Sequence, residues 1–320
     1  MSHRTPFYPI LMHFAARYAG FTYGEFASDY KALVESNLRC RETFGMDSVG
    51  LISDPYREAA AFGAKITFPD EAVPRCMELL VRSMEDITQL KNPDVFKEER
   101  TLDRIKAGEA LRKAVGPDVP VIGWIEGPLA ESCDLAGVNE VLLKIFMEPD
   151  FVKRLADKVI ITAKDFARAQ VEAGCDIIGV GDAICSQIDA ESYREFVKEN
   201  HQELFEYIHS MGAKVKLHIC GNITHLLEDI RDVKPDIVDI DWMVDMDQAR
   251  EKLGAGIIRC GNLDPVSVIQ DLGPEKIREE TEHLCQKEEG RSFILSGGCE
   301  ITVNTPLEHL EAMRTASMNH

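Results

Sequence analysis

The tripeptide His218-Ile219-Cys220 is the sharpest chemical signal in this sequence of 320 residues. On a β-strand, residues two apart point to the same side, so an imidazole and a thiolate can reach one ion. Cys299 follows Ser296-Gly297-Gly298, and two glycines let the backbone bend close to a metal. One His and two Cys make a three-ligand zinc set whose fourth position stays open. Thiolates also select zinc over magnesium or calcium. The competing reading is packing, because free cysteine is among the most buried residue types. Asp241 and Asp239 are candidates for a fourth ligand, against a capping or hydrogen-bonding role. Cys260 repeats the Cys-Gly-Asn triplet that begins at Cys220, and reads as a core position at a structurally equivalent strand end. His225 reads as a helix residue that packs or faces solvent, His201 and His209 as surface residues on one helix, and Lys97-Glu98-Glu99-Arg100 as a solvated face.

These residues need strands to hold them. Eight short apolar runs recur along the chain: 9–13, 48–52, 121–125, 176–180, 216–220, 237–241, 256–260 and 293–296. Such β-branched-rich runs suit strands of a parallel sheet, buried on both faces. Helical patterns lie between them. Phe151, Leu155, Val159, Ala163, Phe166 and Val171 approximate one helix face, with Gly174 as the stop. Phe196, Val197, Leu204, Phe205 and Ile208 predict another, ending at Gly212, and Asn304-Thr305-Pro306 opens the last. Alternation of strand and helix predicts an α/β chain, a (β/α)8 TIM barrel with an N-terminal extension and a single domain over residues 1–320. An open doubly wound sheet is the alternative, but no G-x-G-x-x-G follows any strand.

In a barrel the active site sits at the C-terminal strand ends. Read in order, those ends carry His13, Ser53-Asp54, Glu126, Asp182, His218 with Cys220, Asp239 with Asp241, Cys260 with Asn262, and Cys299-Glu300. Core packing alone does not explain that set, since buried carboxylates need partners.

Composition narrows the class. With 36 Lys+Arg against 55 Asp+Glu the net charge is −19, which excludes broad binding to nucleic acid or to an anionic membrane surface. No apolar run is long enough to span a bilayer. Met1–Pro6 lacks a leader pattern, and the nine scattered cysteines do not form a disulfide framework; both point to the cytoplasm.

The same residues carry a family resemblance across nearly the whole chain. Leu11-Met12-His13-Phe14-Ala15-Ala16-Arg17-Tyr18 resembles the N-terminal M-R-Q-A-G-R-Y of the uroporphyrinogen decarboxylase superfamily. Phe44-Gly45-Met46-Asp47 with Leu51-Ile52-Ser53-Asp54 resembles its F-G-x-D segment and following strand, and Gly261-Asn262-Leu263-Asp264-Pro265 matches its G-N-L-D-P. The resemblance implies the barrel fold and puts Asp54 at the family's catalytic aspartate. It departs where the decarboxylases have their first Arg, here His13, and where they have Gly-His-Gly, here Gly298-Cys299-Glu300. The gained His-x-Cys and distant Cys resemble the methylcobamide:coenzyme M methyltransferase branch, and more loosely cobalamin-independent methionine synthase. That implies zinc on His218, Cys220 and Cys299, with Asp241, Asp239, Asp182 and Glu126 as a fourth ligand or as positioning groups. It also implies a methylcobamide on a small corrinoid protein as co-substrate, and a thiol such as coenzyme M, or tetrahydrofolate, as acceptor. His13 and Arg17 would meet an anionic acceptor, unless Arg17 is a structural pair, and Asn262 would contact substrate. The alternative implied is a decarboxylase of a polycarboxylate tetrapyrrole, centred on Asp54 and Arg17.

Overall fold

A computed structural model describes residues 4–319; Met1–His3, the start of the segment read for a leader, and His320 lie outside them. Seven parallel strands form one sheet: β1 (Val49–Gly50), β4 (Val121–Glu126), β5 (Ile177–Gly181), β6 (Lys214–His218), β7 (Ile237–Ile240), β8 (Ile258–Leu263) and β9 (Phe293–Gly297). Two further strands, β2 (Ile66–Thr67) and β3 (Arg75–Cys76), pair as a separate antiparallel ladder in the segment after β1. The seven neighbours follow chain order, each joined to the next through helix, as βαβ units require.

The ring is completed by chain rather than by a full strand. Phe7 bridges Leu295 of β9 in parallel, Tyr8 N–H donates to the Leu295 carbonyl at 3.0 Å, and Asp47 N–H donates to the Phe7 carbonyl at 3.0 Å. The first strand expected over 9–13 is therefore displaced toward the N-terminus, and His13 opens the helix His13–Ala19 instead. Pro6 and Pro9 flank the closing segment and cannot donate to a ladder, which limits it to one bridge. The other runs hold to within a few residues: β6 starts two residues early, so Cys220 sits just past it, and β8 continues through Cys260 to Leu263.

Helices His13–Ala19, Tyr23–Ser28 and Tyr30–Phe44 form the extension before β1. Pro149–Glu172 is the long amphipathic helix, with Pro at its start and Gly174 left-handed beyond its end. The pattern at 196–208 is split in two, Ala190–Phe196 and Lys198–Ser210, and Leu307–Ser317 closes the chain.

Inside the barrel the side chains stack in layers. Ile122, Ile177, Ile237, Cys260 and Ile294 form a small apolar cluster apart from the larger core between sheet and helices. Nearer the C-terminal ends the filling turns polar: Trp124, Lys216 and Asp239 occupy the next level, with His218 beyond them. Gly179 makes room for the indole, since a Cβ there would lie 2.3 Å from a Trp124 ring atom. No helix among the described residues is long and apolar enough to cross a membrane.

Candidate metal centre

β6 delivers His218 at its last position, and Cys220 follows two residues on, with Gly221 turning the chain at φ +93°. β9 delivers Cys299 through Gly297-Gly298. A Cβ on Gly298 would meet the Trp242 amide nitrogen at 2.3 Å, so glycine lets the end of β9 lean onto the loop after β7. The result is a three-residue cluster. His218 Nε2 lies 3.0 Å from Cys220 Sγ, Cys220 Sγ 3.2 Å from Cys299 Sγ, and Cys299 Sγ 3.9 Å from His218 Nε2. One ligand atom from each falls within 4.8 Å of the others.

Behind the histidine, Nδ1 donates to Asp239 Oδ2 at 2.8 Å, and Lys216 Nζ donates to the same oxygen. All three side chains are buried. This carboxylate–histidine contact fixes the ring and leaves Nε2 turned toward the sulfurs, as metal-binding histidines require. Burial would lower the His218 pKa, but the bonds and charges of Asp239 and Cys299 outweigh it and raise it to about 9. Cys299 is held down to about 4, first by its hydrogen bond from Cys220 and, against burial, by His218. Cys220 is pushed up by that same bond and by burial. Soft sulfur with a directed imidazole is the donor set of zinc, and offers no oxygen cage for a hard cation.

The other aspartate of β7's end is not in this cluster. Asp241 Oδ2 accepts from Gly221 N–H and Oδ1 from Met243 N–H, both at 2.9 Å, so it braces two loops. Asn262 donates to the Val244 carbonyl at 2.9 Å and ties β8 to the loop after β7. Asp182 accepts from Ala130 N–H at 2.7 Å and pairs with His201 Nε2 at 3.0 Å. With Cys185 it forms a second group of close metal-type side chains, all three fully buried.

His201 is therefore a core residue, not a surface one. The missed signal is its spacing: 201, 204, 205 and 208 make one buried helix stripe. His225 lies in a turn, its Nε2 2.9 Å from the Ile188 carbonyl, and His209 is exposed beside Asp236. Cys260 is a packing residue, as expected, with burial pushing its thiol well up.

On the opposite side of the mouth, carboxylates crowd around two arginines. Arg57 donates to Glu126 Oε1 at 2.6 Å, and Arg100 to Asp54, which also accepts from Ser53 Oγ at 2.7 Å. Arg100 is buried, so the run 97–100 is not wholly a solvated face: its last residue turns inward to pair. Burial would raise the Asp54 carboxyl, yet Arg100 and Arg57 hold it below its usual range. Glu126 is raised to about 8 by burial, partly offset by Arg57 and reinforced by Glu58. Glu131, with both oxygens buried and unpartnered, is raised well above normal by burial and then by Glu58 and Asp134. His13 stacks on Tyr23 with centroids 4.8 Å apart and has Glu71 at 3.5 Å; Arg17 is exposed and donates to Asn304 at 3.1 Å.

A curled parallel barrel with polar strand ends defines the class, and comparison with known proteins defines the family. The uroporphyrinogen decarboxylase (URO-D) family model matches residues 2–320, and the chain belongs to that family of decarboxylases and methyltransferases. The chain is 28% identical over 226 residues to methylcobamide:CoM methyltransferase MtaA of Methanosarcina barkeri, covering 70% of this chain and 65% of that relative, just under two thirds of its length. It is 28% identical over 279 residues to MtbA of Methanosarcina acetivorans, covering 86% and 80%. It is also 26% identical over 326 residues to uroporphyrinogen decarboxylase of Geobacter metallireducens, covering 96% and 92%. The fold is similar to that of a methyltransferase from Methanosarcina mazei, with TM-score 0.90 at 23% identity, covering 98% and 93% of the two chains.

Proposed function

We propose that this protein is a zinc-dependent methyltransferase of the cytoplasm, which moves a methyl group between a methylated corrinoid on a small partner protein and a thiol or related acceptor such as coenzyme M or tetrahydrofolate. The observation that carries the reading is the His218–Cys220–Cys299 cluster with Asp239 behind the histidine. Likeness to the methylcobamide:CoM methyltransferases supports it.

His218 Nε2, Cys220 Sγ and Cys299 Sγ would hold the ion. Zinc, when bound, supplies the charge that keeps an acceptor thiol deprotonated near pH 7, where a free thiol is mostly protonated. Asp239 holds the His218 Nδ1 proton and keeps the ring aligned. The barrel mouth orients acceptor and corrinoid. With a thiol acceptor, the S–H proton would leave to solvent and a C–S bond would form at the expense of the methyl–corrinoid bond, whose electron pair would stay with the corrinoid.

The test is elemental analysis of purified wild type and Cys299→Ala. About one zinc per chain is expected in the wild type and far less in the variant. Methyl transfer from methylcobalamin should follow the zinc content. Failure of the wild type to bind zinc on reconstitution would refute the mechanism. The second reading, a decarboxylase of a polycarboxylate tetrapyrrole, is favoured by the buried Asp54 carboxylate and predicts product from a porphyrinogen in metal-free protein.

A further inference from the structure

Six successive connections at the mouth carry no lysine or arginine. They follow β4 (127–136), β5 (182–189), β6 (219–226), β7 (241–245), β8 (264–273) and β9 (298–306). The same segments carry Glu131, Asp134, Asp182, Asp241, Asp264 and Glu300. These segments, of which 128–136 is helical, follow the strand ends that build a barrel's active site, so three quarters of the rim has no fixed positive charge, although Glu131 and Asp182 within it are buried.

The cations on the remaining arc are engaged or exposed. Arg57 is fully buried against Glu126 and Glu58, and Arg100 is buried against Asp54 and the Ala27 carbonyl. His13 faces Tyr23 and Glu71, while Arg17 lies exposed beside Asn304. The hairpin contributes Lys65 and Arg75, both exposed. Lys216 sits beneath the cluster with its charge already matched by Asp239. Two thiolates would likewise cancel the charge of a divalent ion held there. Glu300, next to Cys299, accepts from His13 N–H at 3.0 Å and adds an acid on the cluster's own side.

We infer that the acceptor of this site bears no anionic group near its reacting sulfur: it is a thiol whose other end is neutral or cationic, not a sulfonate. This rests on the proposed thiol methyltransferase reading, narrows the acceptors named there to thiols other than coenzyme M, and departs from the acceptor in the relatives' names. A sulfonate is a permanent anion, and binding it near the thiolate position requires a positive partner that the six loops do not supply. A hydroxyl or ammonium group meets no such barrier.

The test is direct binding to the Co(II)-substituted protein, read by the thiolate-to-cobalt charge-transfer band. The probes are 2-mercaptoethanesulfonate, 2-mercaptoethanol and cysteamine, which share one two-carbon thiol and differ in terminal charge. Compared at equal thiolate concentration, the sulfonate should bind at least about ten-fold more weakly than 2-mercaptoethanol, and cysteamine at least as tightly. Added salt should narrow the gap, because the penalty is electrostatic. Equal or tighter binding of the sulfonate, or a gap indifferent to salt, would overturn the inference while leaving the thiol reading intact. No spectral response to any of the three thiols would instead overturn that reading, and this inference with it.

Discussion

Asp239→Asn separates two roles that one carboxylate plays. Its Oδ2 accepts both from His218 Nδ1 at 2.8 Å and from Lys216 Nζ, and the residue is only 4% exposed. The amide is nearly isosteric but neutral. It leaves the Lys216 ammonium buried without a counter-charge, which should cost about 3–5 kcal/mol of stability. It also weakens the hold on the His218 ring, which should cost about 10–100-fold in zinc affinity. The double variant Lys216→Met/Asp239→Asn removes the stranded charge. It should recover most of the stability but none of the affinity. Urea unfolding of the metal-free proteins reads the first quantity, and competition for zinc against a chelator of known affinity reads the second. If the single variant bound zinc within about two-fold of wild type, or if the double variant regained affinity with stability, the aspartate would have no orienting role.

Gly179→Ala should destabilise the barrel by about 1–3 kcal/mol, because the new methyl would overlap the Trp124 ring; an unchanged unfolding midpoint would contradict the packing described. Glu131 has its folded pKa raised by burial and by Glu58 and Asp134, so its contribution to stability is fully present below the unfolded value of about 4.3 and is lost as pH rises toward the folded one. Glu131→Gln cannot ionise, so it should match wild type near pH 4 and exceed it by about 1–3 kcal/mol at pH 8 in urea unfolding; a difference independent of pH would argue against a protonated Glu131. Glu126, raised to about 8, should share that pH window, so part of the wild-type decline should persist in the variant. Cys260→Ala should leave zinc content unchanged while lowering stability by about 1–3 kcal/mol, since the side chain packs among isoleucines.

The metal-type cluster was legible because its logic is local. A two-residue period puts His218 and Cys220 on one side, and paired glycines announce the bend at Cys299. The choice between Asp239 and Asp241 was not. Both face inward by the same period, but they sit one layer apart, and their partners come from other strands and loops. Register across the sheet, which no single segment contains, made one the support of His218 and the other a loop brace. Arg100 failed for a related reason: its neighbours in sequence are solvated, while its partner Asp54 lies 46 positions away. The first strand was misplaced because PILMH looks like a strand, yet the two prolines let the chain form only a single bridge at Phe7. Eight β-positions and the polar strand ends survived that error, since alternation along the chain fixes the barrel more firmly than any one boundary.

The two sulfurs lie 79 residues apart, on strand ends with two whole strands between them. A ribosome thus completes His218 and Cys220 long before it adds the third donor, and that donor arrives on the last strand of the ring. The full trio first exists when β9 slots between β8 and the segment around Phe7. An ion captured at that moment would span the barrel like a clasp, fastening the latest-made strand to one from the middle of the chain. Loading and ring closure become one event, and a truncated or misclosed barrel would have only an incomplete grip on the metal.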